Sequence, residues 1–152
     1  MLYSLYLSLT DYNLLSDPNW VGLTNYIRAF TEDQYFYPFF GNTIYFVVTL
    51  VPIVLVLSLL LAILINKKAG PLTKGYRVAL FLPSITSTVA VSMVWLWIFN
   101  PDMGILNNFL TAIGFNNPPL WLADPAWSKP ALVIMRVWQM CGYYMLMFLA
   151  GL

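Results

Sequence analysis

Three long runs of apolar residues, set apart by polar stretches carrying proline and glycine, dominate the chain. Residues 42–65 are almost wholly apolar and uncharged. As a helix the run is about 36 Å long, more than the ~30 Å hydrocarbon core of a bilayer, and it predicts a membrane span. Pro52 lies inside it and should bend the helix unless neighbouring helices compensate for its missing N–H. Residues 78–99, with Pro83 near the start, form a second run long enough to span, and residues 131–152, carrying Arg136 and Gln139, form a third. Residues 1–10 are apolar too, but cover only about 15 Å, half the core. With neither a basic leader nor a small-residue cleavage site, this stretch reads as the outer end of a helix whose first half is missing. A short anchor lying flat at the interface is the alternative.

The connecting segments set an orientation. Residues 66–77 hold Lys67, Lys68, Lys74 and Arg77 and no acid, the bias of a short loop retained in the cytoplasm. Segments 11–41 and 100–130 carry one basic residue each, Arg28 and Lys129, and between them all 6 acidic residues, which places both on the outer face. Within 100–130, residues 104–113 are apolar enough for a short interfacial helix. Asn116, Asn117, Pro118 and Pro119 then break regular structure, and Trp121, Leu122 and Trp127 suit the membrane surface. There is no internal repeat and no second domain.

Composition strengthens this reading. Of 152 residues 61% are apolar and 9% charged, where a soluble domain carries roughly a quarter charged residues, so a water-soluble fold is excluded. A net charge of +1 gives no field to capture nucleic acid. There is no His, and Cys141 is the sole cysteine, so no internal disulfide, no Cys/His metal site and no cofactor are expected. Cys141 reads as packing. Six acids, no His, no glycine-rich phosphate loop and no Gly-x-Ser-x-Gly elbow also leave little for catalysis.

Two clusters could touch a solute. Ser84, Thr86, Ser87 and Thr88 follow Pro83, where hydroxyls either satisfy freed carbonyls and pack helices or face a watery path. Arg136 and Gln139 lie three apart on one helix face, and ionisable groups in a span face protein or water rather than lipid. Arg136 could instead snorkel to the headgroups. Tyr143 and Tyr144 follow on the same span, with hydroxyls and rings of the kind that bind sugars, although packing is open to each. The basic loop needs only a role in fixing orientation.

The order of several motifs resembles the permease subunits of carbohydrate ABC importers, of the maltose and glycerol-phosphate type. The matching stretches are residues 20–26 (WVGLTNY), 40–43 (FGNT), 76–83 (YRVALFLP) and 95–101 (WLWIFNP) with Gly104, Asn107 and Asn108. Val137, Trp138, Gln139 and Gly142 continue the match, which closes on residues 149–152 (LAGL). The resemblance implies an all-α, polytopic transmembrane helix bundle: an ABC importer permease core, MetI-like and incomplete. It further implies a multi-pass protein of a bacterial or archaeal plasma membrane that moves sugar by alternating access. Its partners would be a second permease, two cytoplasmic ATP-binding subunits that hydrolyse ATP, and an extracytoplasmic solute-binding protein. Two departures stand out. The Glu-Ala-Ala and Asp-Gly signature of the ATPase-docking loop is not in these residues, and most of the first helix is missing. This stretch alone is therefore expected not to couple to ATP hydrolysis. Oligosaccharide, monosaccharide and glycerol phosphate remain open as cargo. The rivals are a small membrane structural or assembly protein without transport activity, and a passive channel or secondary transporter. The second would need paired mid-membrane charges or related halves, and neither is evident.

Overall fold

The computed structural model describes residues 1–13, 17–67 and 71–152. In chain order the elements are α1 (Leu2–Ser8), β1 (Thr10–Asp11), β2 (Asn19–Trp20), α2 (Thr24–Thr31), α3 (Phe36–Asn66), α4 (Pro71–Ile85), α5 (Thr88–Ile98), α6 (Ile105–Ala112) and α7 (Pro125–Gly151). They fall into two compact units, Met1–Tyr45 and Phe46–Leu152.

In the first unit, a seven-residue α1 runs into a small antiparallel ribbon pairing Thr10 with Trp20 and Asp11 with Asn19. Asn25 on α2 ties these pieces together, its amide donating to the carbonyls of Ser8 and Thr10 at 3.0 Å each. Just after β2, Gly22 takes the left-handed conformation, at φ +61°, and its N–H donates to the Leu9 carbonyl at 3.0 Å.

The second unit is built around α7. Asp124 caps this helix by accepting from the Ala126 N–H at 2.8 Å, and Pro125 occupies the first turn, where its missing N–H costs nothing. From α3, Val54, Ser58, Ala62 and Ile65 are buried, a stripe at helical spacing. Ala62, Ile65 and Met145 form one apolar cluster, with Leu80 packed against it. The other faces of α3 expose Val47, Val48, Val51, Val56, Leu60 and Leu64. Such a surface is stable only against hydrocarbon or another protein. Pro52 does not interrupt α3, which is helical throughout.

Between helices in lipid, close packing and hydrogen bonds replace the hydrophobic effect as the source of association. The α4–α7 contact shows this. A Cβ on Gly142 would overlap the Leu80 carbonyl group, with its carbon at 2.6 Å, and lie 3.0 Å from Phe81 Cα. Only glycine lets the two backbones approach so closely. Ser58 Oγ donates to the Cys141 carbonyl (3.0 Å) and Ser84 Oγ to the Gln139 carbonyl (2.8 Å), binding α3 and α4 to the same stretch of α7.

The run at 78–99 is not one continuous helix. α4 ends at Ile85 and α5 begins at Thr88, with a bend of 98° between them. Pro83 supplies no N–H to the preceding turn, and Thr86 Oγ1 bonds back to the Leu82 carbonyl at 3.0 Å. Ser87 then takes an extended conformation (φ −52°, ψ 132°). α3 and α7 are each long and apolar enough to cross a membrane, and α4 with α5 forms a third crossing if the bent pair is one broken span. Much of the basic loop is also helical, since Lys74 and Arg77 lie on α4.

A second cluster, of Phe99, Trp121 and Ala131, organises the segment after α5. Asn107 is its polar centre and is 3% exposed. Its Oδ1 accepts from Trp121 Nε1 at 2.7 Å, and its Nδ2 donates to the carbonyls of Pro101 (3.2 Å) and Pro119 (3.3 Å). One side chain thus holds three points of an otherwise irregular stretch.

Candidate functional site

On α7 the residues 136, 139, 140, 143 and 144 follow the i, i+3, i+4, i+7, i+8 spacing of a single helix face. Opposite them, the break between α4 and α5 brings Ser84 and Thr88 to the same place. These seven residues, Ser84, Thr88, Arg136, Gln139, Met140, Tyr143 and Tyr144, line an open recess of about 320 Å³.

The break is what makes the recess possible. The 98° turn falls between Ser84 and Thr88, the two residues of this side that line the recess, and farther along α5 the Trp95 ring meets Trp138 of α7 at 5.7 Å. Non-helical backbone at membrane depth is tolerated where protein or a water-lined cavity satisfies it, and the Ser84 bond to the Gln139 carbonyl anchors its near edge.

Arg136 Nη1 donates to Gln139 Oε1 at 2.9 Å. Gln139 is 6% exposed, and Arg136 is turned along the helix toward it. Among the described residues Arg136 forms no ion pair, whereas Arg28 pairs with Glu32 at the surface, at 3.7 Å. The rings of Tyr143 and Tyr144 meet edge to face, 5.5 Å apart at 83°, and leave two phenol groups at the wall.

Of the polar residues singled out in the sequence, Ser84, Thr88, Arg136, Gln139, Tyr143 and Tyr144 thus come together, while Thr86 and Ser87 do not. Thr86 bonds its own helix, and Ser87 is the N-cap residue of α5, without a side-chain cap bond. Lys67 follows the last turn of α3, Lys74 lies on α4, and Arg77 borders a small apolar recess of about 150 Å³ with Phe81 and Leu146. Lys68 lies outside the described residues. Met140 was missed because a methionine on an apolar helix carries no signal of its own. Its position one turn after Arg136 was the available clue. A larger recess, about 580 Å³, lies between Leu110, Phe115, Trp121, Asp124 and Trp127, and has a mainly apolar wall.

No family model matches the chain. A probable ABC transporter permease protein of Bacillus subtilis, YesP, is 38% identical over 150 residues, 98% of this chain and 48% of the relative. The xylose/arabinose import permease protein XacH of Haloferax volcanii is 36% identical over 99% of this chain and 47% of its own length. The lactose transport system permease protein LacF of Rhizobium radiobacter is 36% identical over 86% of this chain and 44% of the relative. Among solved structures, a bacterial ABC transporter that imports the acidic polysaccharide alginate superposes with a TM-score of 0.81 at 22% identity, over 98% of this chain and 49% of that one. The chain therefore spans about half the length of the relatives it matches. Over that length, in sequence and in helical fold, it is an integral membrane protein that belongs with the permeases of ABC transporters.

Proposed function

We propose that this chain forms part of the translocation pathway for sugar uptake by an ATP-driven importer, crossing the plasma membrane more than once. The observation that carries the reading is the recess at the α4–α5 break, where Arg136, Gln139, Tyr143 and Tyr144 meet Ser84 and Thr88. Polar side chains on an otherwise apolar span cost free energy unless they serve a partner or a path. A broken helix beside them supplies main-chain groups that such a path can use. The names of the relatives, import permeases for xylose/arabinose and for lactose, point to a sugar as cargo.

In this reading the chain does no chemistry. ATP is hydrolysed by two cytoplasmic subunits, a second permease completes the pathway, and an extracytoplasmic solute-binding protein delivers the sugar. A bacterial alginate transporter solved with its pentasaccharide-bound periplasmic protein, 24% identical with a TM-score of 0.74, supports that last partner. The basic residues Lys67, Lys68, Lys74 and Arg77 mark the cytoplasmic side.

The test is ATP-dependent accumulation of labelled xylose, lactose and uronate oligosaccharides in proteoliposomes holding the assembled transporter, with and without this chain, and with Gln139→Leu. Uptake should require the chain and fall at least tenfold in the variant. Accumulation that is the same without the chain refutes a pathway role and leaves the assembly role standing.

A further inference from the structure

Three helices meet at one level near the ends of α3 and α7. Ala62 and Ile65 of α3 pack with Met145 of α7, and Leu80 of α4 joins them. Lys67 follows directly on the last turn of α3. α4 and α7 run in opposite directions, since Leu80 meets Gly142 and Ser84 bonds the Gln139 carbonyl. Arg77 and Lys74, which precede Leu80 on α4, therefore stand beside the last turns of α7, which ends at Gly151. Within residues 46–152 the acidic side chains are Asp102 and Asp124, and Asp124 caps the other end of α7, roughly 33 Å from Leu146 at 1.5 Å per residue. Among the described residues neither Lys74 nor Arg77 forms an ion pair.

On α4 the residues 74, 77, 78, 81, 82 and 85 follow the spacing of a single helix face. The two charges come first and the rest is apolar. Val78, Phe81, Leu82 and Ile85, with Leu146 of α7, wall an open trough of about 150 Å³ that Arg77 borders. From Arg77 to Ile85 the trough follows the helix for about 12 Å, away from the end of α7. A cation at the edge of the span followed by an unbroken hydrocarbon wall has the order of an anionic phospholipid, phosphate first and acyl chain below it. A free phosphate has nothing to lay in the trough, and a lipid without net charge leaves the two cations uncompensated. The guanidinium fork of Arg77 also matches paired phosphate oxygens.

We infer that this trough binds an anionic phospholipid, its phosphate on Arg77 and Lys74 and one acyl chain along Val78, Phe81, Leu82 and Ile85 against Leu146. The inference rests on the membrane-spanning fold and is independent of the cargo. Each basic residue beside a membrane strengthens attraction to anionic lipid roughly fivefold. The experiment places the assembled transporter in nanodiscs of phosphatidylcholine with increasing phosphatidylglycerol and counts retained lipids by native mass spectrometry. Phosphatidylglycerol should be retained at least fivefold over phosphatidylcholine. One bound copy per chain should be lost in Arg77→Gln, where Lys67, Lys68 and Lys74 still mark the orientation, and kept in Arg77→Lys. Leu82→Trp, which fills the trough and leaves the charge, should lose the same copy.

Equal retention by the wild type, Arg77→Gln and Leu82→Trp overturns the inference and means that another helix of the complex covers the trough. Loss in Arg77→Gln with retention in Leu82→Trp overturns it as well, because a headgroup contact alone then holds the lipid. Phosphatidylcholine retained as strongly as phosphatidylglycerol removes the charge selection and the inference with it. Should Arg77→Gln not assemble, the wild-type preference and the Leu82→Trp count decide.

Discussion

Replacing Gly142 by alanine puts a methyl group where α7 meets the backbone of α4. The new Cβ would overlap the Leu80 carbonyl group and sit 2.6 Å from its carbon and 3.0 Å from Phe81 Cα. Carbon atoms pack at about 3.5–4.0 Å, so the helices must separate by roughly 1 Å. Backbone cannot swing aside as a long side chain can. The same shift stretches the Ser84 to Gln139 carbonyl bond from 2.8 Å to about 3.8 Å, beyond hydrogen-bonding range. Overpacking costs about 1–3 kcal/mol and the lost bond about 1 kcal/mol, against roughly 1 kcal/mol gained from the better helix propensity of alanine. The net is a destabilisation of about 1–3 kcal/mol, or roughly 3–10 °C in melting temperature for a chain of this size. Cys141, the only thiol, is half-buried beside the substitution, so a dye that fluoresces on reacting with it reports unfolding of the detergent-purified protein. Gly41→Ala is the control, because nothing lies within 4 Å of a Cβ there and the residue is inside α3. It should melt at or slightly above the wild type. A Gly142→Ala protein that melts as high as Gly41→Ala would refute the close-approach argument.

Asn107→Ala strands the indole N–H of Trp121 and two proline carbonyls in a buried site, and should destabilise by about 2–3 kcal/mol, read as a lower melting temperature and a red-shifted tryptophan emission. An unshifted emission would show that Asn107 does not hold Trp121. Ser58→Ala and Ser84→Ala each remove one bond to an α7 carbonyl and should cost about 1 kcal/mol apiece. Because they tie different helices to α7, a double-mutant cycle on melting should give near-additive values, and strong coupling would mean that α3 and α4 dock as one body. Neutralising Lys67, Lys68, Lys74 and Arg77 together should loosen the orientation of the chain, seen as mixed labelling of a single cysteine engineered beside them by an impermeant maleimide from both membrane sides. Labelling from one side only, as in the parent, would move the orienting signal elsewhere.

Much of the fold was legible because apolar length is a local property. The run at 42–65 announces α3, and Ala131 onward announces most of α7, since only a helix can satisfy every backbone group within hydrocarbon. The small ribbon of Thr10–Asp11 with Asn19–Trp20 was not legible. It rests on Asn25, whose amide reaches back 15 and 17 residues, and no local pattern records that bond. The candidate site was legible in part. Arg136, Gln139, Tyr143 and Tyr144 share a face by helical periodicity alone, but whether Ser84, Thr86, Ser87 or Thr88 joins them depends on how the chain turns after Pro83.

The sequence by itself determined the solvent of this protein, because so few charges over so many apolar residues leave no soluble alternative. It also determined the number and rough place of the long apolar runs, since apolar length acts residue by residue. Only the tertiary structure decided that the run at 78–99 breaks by 98° at Ser87, and that Gly142 admits the backbone of α4. It alone decided that Ser84 and Thr88, but not Thr86 and Ser87, face Arg136. Those outcomes turn on contacts between residues some fifty positions apart, and side-chain periodicity within one helix carries no information about what a distant helix presents to it.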